Sequence, residues 1–142
     1  MGAWGSGSFE NDDALDFVET LKREGQAAIR ATLENVTRLG AQEYLEAPEA
    51  CAAIAASEVI AAAHDGKVSE LPEDTRSWVQ VHGSSLANTP LLELAQRALE
   101  RIMVQSELKD LWEEGGMDNP LFMAWERGVQ QLAARLSGDG LP

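Results

Sequence analysis

The stretch Ala50-Cys51-Ala52-Ala53-Ile54-Ala55-Ala56-Ser57-Glu58-Val59-Ile60-Ala61-Ala62-Ala63 decides the fold class of this chain. Twelve of its fourteen residues are apolar, and only Ser57 and Glu58 interrupt the run. A helix that is apolar all round has protein on every side. Its alanines let neighbouring helices come close. The run is too short for a bilayer span and carries a carboxylate in its middle, so it reads as the core helix of a globular domain. It begins near Pro48, a residue suited to a first helical turn, and stops at about His64, before Asp65-Gly66.

Outward from that helix the pattern stays helical. A first helix starts near Asn11 or Asp12, carries Ala14, Leu15, Phe17, Val18 and Leu21 on one side, and stops at Gly25. A second spans about Gln26 to Arg38, with Ile29, Leu33 and Val36 at helical spacing. Leu71-Pro72 leads into a short helix over about Glu73 to His82. Thr89 as N-cap and Pro90 open a long helix to about Glu114. Its two apolar stripes slip out of phase near Gln105-Ser106, which predicts a bend there. A last helix starts near Asp118 or Asn119, with Leu121, Trp125, Val129, Leu132 and Leu136 forming one face. Residues 1–10 read as an irregular Gly-rich segment and 137–142 as a frayed tail. The expectation is an all-α, single-domain bundle of five to six helices joined by short connections, with the N-terminal segment packed on it.

Composition bounds the function. The chain has 142 residues, 24 Asp+Glu against 11 Lys+Arg, a net charge of −13 and a pI of about 4.4. That balance argues against a nucleic-acid binder, which needs clustered Lys and Arg. One cysteine excludes an internal disulfide and a multi-thiolate zinc site. No basic n-region or apolar h-region opens the chain, so a cytoplasmic, soluble protein is expected. Gly2 and Ser6 fit the loose N-myristoylation pattern, but no polybasic patch follows to add a second membrane signal.

Glu58 is the most informative single residue. A carboxylate in an apolar helix is costly to bury unless it is paired or hydrogen-bonded. Three readings stand open. It accepts backbone N–H groups from the Gly-rich N-terminal loop; it pairs with an arginine; or it is a functional carboxylate at the base of a pocket.

The N-terminal run Gly2-Ala3-Trp4-Gly5-Ser6-Gly7-Ser8-Phe9-Glu10-Asn11-Asp12-Asp13-Ala14-Leu15-Asp16-Phe17 resembles the start of a bacterial family known only as a domain of unknown function, DUF4259. The positions that carry the likeness are Gly2, Trp4, Gly5, Gly7, Phe9, Asn11, Asp12, Ala14, Asp16 and Phe17. The element Ala55 to Ala62, the stretch Leu108 to Trp112 and the Arg-Leu pair ending at Leu136 are similar too. The resemblance implies an α-helical domain and no particular activity. Physically, the glycines call for unusual backbone or for close approach to another element. The segment reads as a clasp that buries Trp4 and Phe9. A loop for an anionic ligand is disfavoured by Glu10, Asp12, Asp13 and Asp16 around it.

Other chemistry is thin. Asp12, Asp16 and Glu19 share one face of the first helix, a pattern met in cation sites and more often in solvated faces. His64 and His82 form no His-x-x-x-His or Glu-x-x-His pair, and His82 beside Gly83-Ser84-Ser85 is a sequence neighbour only. Glu107 and Glu126 could approach each other or Glu58 if their helices pack antiparallel. Cys51 has no activating base nearby in sequence and reads as a buried apolar group. No cofactor and no metal are called for. Two function classes remain: a non-enzymatic interaction module, of the inhibitor or immunity type, for a basic protein partner; and a small enzyme or metal-binding domain centred on Glu58. Glu58, Trp4, Asp12 and Asp16 are the candidate binding residues.

Overall fold

A computed structural model describes residues 5–116 and 118–137. Seven α-helices follow in order among them: α1 (Asp12–Glu24), α2 (Gln26–Thr37), α3 (Ala47–Asp65), α4 (Glu73–His82), α5 (Thr89–Val104), α6 (Glu107–Glu113) and α7 (Pro120–Ser137). A short 3-10 turn, Gly83–Ser85, joins α4 to the chain before α5. No strand occurs among the described residues. The all-α class stands, with seven helices instead of five or six.

The helix α3 is the axis. It packs against each of the other six helices and against the 3-10 turn. Thirteen of its nineteen residues are buried, including Ser57 and Glu58. The Ser57 hydroxyl needs no distant partner, because it donates to the Ala53 carbonyl one turn back at 2.8 Å. Around α3 lie α1, α2, α5 and α7. Consecutive helices α1 and α2 pair, α2 meets α5, and α5 meets α7. The shared core is dominated by Leu21, Ile29, Leu33, Ile60, Leu91, Leu99, Ile102, Phe122 and Leu132, all nearly sealed from solvent. Truncating one such Leu or Ile to Ala costs about 2–5 kcal/mol.

Local signals set the helix ends. The Asn11 side chain accepts the Ala14 N–H at 2.8 Å and starts α1. Gly25, at φ +67° and ψ −144°, ends α1 and starts α2 in a backbone state that a side chain would disfavour. Two boundaries differ from the sequence reading. Asn88, not Thr89, caps α5 by accepting the Leu91 N–H at 3.1 Å. The long helix expected to Glu114 is broken outright and not merely bent. Gln105 is extended, and Ser106 starts α6, its hydroxyl accepting from the Lys109 N–H and donating to the Ile102 carbonyl. One side chain thus closes one helix and opens the next, which lets the apolar face change direction where the stripes slip.

Candidate functional site

Charged side chains meet at the C-terminal end of α3. Asp65 is its last helical residue, a position where the helix dipole disfavours a negative charge. Arg135, from the end of α7, neutralises it with two bonds: Nε to Oδ2 at 2.7 Å and Nη2 to Oδ1 at 3.2 Å. The same Oδ1 accepts the Lys67 N–H at 2.9 Å. Burial alone would raise the Asp65 carboxyl, but the Arg135 and Lys67 hydrogen bonds and the guanidinium charge hold it below its ordinary value. Arg135 also reaches Glu58, more loosely, with Nη1 3.5 Å from Oε2. Glu58 is 9% exposed. Burial holds its carboxyl above the ordinary carboxylate range, against the pull of the Arg135 charge and of a hydrogen bond from Ser8.

The Gly-rich loop lies against the middle of α3, beside Glu58. Its turn is closed by the Glu10 carboxylate, which folds back to accept the Gly7 N–H at 2.9 Å. A Cβ on Gly5 or Gly7 would lie 2.6 or 2.5 Å from that carboxylate. A side chain at either position would have to displace the Glu10 carboxylate from the Gly7 N–H, and neither glycine has a positive φ. The loop holds an acid of its own in the place an outside anion would take. Of the three readings of Glu58, the arginine pair is present. Among the described residues the loop contributes through the Ser8 side chain, and its backbone does not donate to Glu58.

Between the loop, α3, α6 and α7 lies a cavity of about 520 Å³. Cys51, Ile54 and Glu58 of α3 form its floor, Leu108 and Trp112 of α6 one flank, and Trp125, Gly128, Leu132 and Arg135 of α7 the other. The volume falls within the range of small-molecule pockets. Glu58 is thus paired with an arginine and lines a pocket.

The remaining sequence candidates are dispersed. Asp12 and Asp16 are exposed on α1 and do not line the cavity. Glu19 pairs with Lys22 at 2.8 Å, and Lys22 also bridges to Asp74. Trp4 and Gly2 lie outside the described residues. Glu107 does not turn to Glu58. Its Oε1 accepts the Ala47 N–H at 2.7 Å, so it caps α3 from another helix. His64 is exposed, and His82 rests on Trp78 with ring centroids 5.1 Å apart. The Ser85 hydroxyl donates to Gln26 and to the His82 carbonyl, so no Ser–His catalytic contact forms there. Burial, reinforced by the Asp13 carboxylate, pushes the Cys51 thiol up to about 12, as suits a buried apolar group. Among the described residues no group of three or more His, Cys, Asp or Glu is placed to hold a metal ion.

A second surface escaped the sequence reading. Tyr44, on the segment between α2 and α3, is 55% exposed. Burial of part of its surroundings, then the charges of Glu107 and Asp110, a hydrogen bond to Asp110 and the charge of Glu46, all raise its phenol. Val104, 71% exposed, stands on the 101–107 stretch that is bonded to this same segment. The frame is rigid: the Arg101 guanidinium donates to the Leu39, Gly40 and Glu43 carbonyls, and the Glu107 N–H to Leu45. The one available signal was composition, since Tyr44 is the single tyrosine of the chain and lies in a polar connection.

No helix among the described residues is long and apolar enough to cross a membrane. No curated protein and no solved structure was found to match the chain. The family described as a domain of unknown function, DUF4259, matches residues 2–126. That match takes in the Gly-rich loop, the core helix and the Tyr44 segment, and the chain belongs to the DUF4259 family.

Proposed function

We propose that this is a non-enzymatic interaction module of a bacterial cytoplasm, which binds a basic protein partner in the manner of an inhibitor or immunity protein. The observation that carries the reading is the Tyr44 surface. A large, half-exposed aromatic stands among the carboxylates of Glu46, Glu107 and Asp110, with Val104 on the neighbouring stretch. Tyrosine is a favoured anchor at protein interfaces, and flanking acids steer a basic partner and select it. The frame is held by backbone hydrogen bonds, so little ordering entropy is lost on docking. The net charge of −13 supports the same choice of partner and disfavours nucleic acid and acidic membrane surfaces.

The test is affinity capture from host lysate at low and high salt, run side by side with Tyr44→Ala and Asp110→Lys. A basic protein retained by the wild type, released as salt rises and lost with both variants supports the reading. Retention unchanged in both variants sinks it.

The runner-up is a small enzyme centred on Glu58. Its support is the cavity and the raised carboxyl, the setting of a general acid or base. Turnover that disappears in Glu58→Gln while the fold persists would put it first.

A further inference from the structure

Gly128 poses a question that packing does not answer. It lies in the interior of α7, where glycine costs about 1 kcal/mol relative to alanine. A helix tolerates that cost when a neighbour needs the space. Here a Cβ on Gly128 would meet nothing within 4 Å, and φ is not positive. Gly128 is exposed, and with Ala124 one turn earlier it lines the cavity where that opens to solvent.

The charges inside that cavity do not balance. One guanidinium serves two carboxylates. Its short, two-pronged bond goes to Asp65, and Glu58 receives the 3.5 Å contact together with a hydrogen bond from the Ser8 side chain. One guanidinium shared by two carboxylates leaves the Glu58–Arg135–Asp65 cluster with an excess of acid beside the cavity. Glu10 and Glu70 line the same cavity, and among its described lining residues Arg135 is the only Lys or Arg. Half-buried Trp112 supplies aromatic surface to the same lining, while Trp125 is buried against Phe122. A carboxylate with aromatic faces is the setting that recognises an organic cation, through a charge-assisted hydrogen bond at the head and cation–π or apolar contact along the body.

We propose that the cavity between the Gly-rich loop, α3 and α7 binds a small organic cation, an amine or guanidinium with an apolar body. Its charged head sits at Glu58, its body lies along Trp112, and it enters beside Gly128. The site is separate from the Tyr44 surface, and either can fail without the other.

The experiment is isothermal titration of the full chain with phenethylamine and agmatine, and with phenethyl alcohol and phenylacetate as neutral and anionic controls. The expected result is saturable binding of at least one cation and none of either control. Glu58→Gln should weaken that binding by about tenfold or more, the loss of one charged contact. Gly128→Leu, which fills the wall without touching Glu58, should abolish it. Gly128→Ala should retain it and raise the Tm, since packing does not need the glycine. Because the Gly128 variants do not disturb the charge cluster, they decide the matter even if Glu58→Gln folds poorly. Absence of binding by both cations overturns the proposal. So does equal binding of phenethyl alcohol, or binding that survives Gly128→Leu.

Discussion

Two ends of α3 are held by charged side chains from distant parts of the chain, and they are held differently. At the N-terminal end, Glu107 accepts the Ala47 N–H, and Arg101 donates to the Leu39, Gly40 and Glu43 carbonyls of the segment that leads into the helix. Each charge there is matched to backbone groups that need a partner. At the C-terminal end, Arg135 is divided between Asp65 and Glu58, and Glu58 receives the weaker contact. The first arrangement has the economy of a structural joint. The second leaves an excess of acid beside a cavity, and that is where a ligand site is to be sought.

Substitutions can break or sharpen this contrast. The largest effect is expected from Arg135→Ala, which strands two carboxylates near the end of α3; a loss of about 3 kcal/mol is expected by urea unfolding. Arg101→Ala should cost about 2 kcal/mol, because several carbonyls lose a charged donor but keep access to water. If Arg101→Ala proved the more damaging, the roles of the two ends would be reversed. Glu107→Ala removes a cap from α3 and should cost about 1 kcal/mol, with amide exchange near Ala47 quickened locally.

The smallest effect belongs to Glu58→Gln, which keeps the shape and removes the charge. At neutral pH its stability should lie within about 0.5 kcal/mol of the wild type, since Arg135 keeps Asp65. The pH profile separates the two acids. The Glu58 carboxyl is raised from 4.5, so its contribution is fully present below that value and is lost as pH rises through the higher folded value. The Asp65 carboxyl is lowered from 3.8, so its contribution is present above that value and is lost as pH falls through the lower folded one. Melting curves across pH should show Glu58→Gln flattening the decline above 4.5 and Asp65→Asn flattening the loss below 3.8. A profile unchanged in Glu58→Gln would mean that its carboxylate is not strained by burial.

The helices were legible because their signals are local. Asn11, Gly25, Pro48 and Gly66 act within a turn of themselves, and the structure ends its helices at those places. The phase slip at Gln105-Ser106 was legible too, but its outcome was not. Whether a slip becomes a bend or a break depends on Ser106 bonding both ways in a buried site, which is a matter of neighbours. Glu58 stood out because a carboxylate in an alanine-rich helix is chemically anomalous. Asp12 and Asp16 stood out only by spacing, and spacing on a helix face does not say whether anything lies opposite.

By itself the sequence determined that α3 lies at the centre and that Glu58 must be answered by some partner, since burying apolar surface and solvating a charge are needs of the residue alone. Which partner answers, and that Arg135 must be shared with Asp65, was decided by the docking of α7 on α3. So too were the cavity beside Gly128 and the exposure of Tyr44. Each depends on the distance between segments remote in the chain, and that distance is set by packing the whole core, not by any stretch of residues within it.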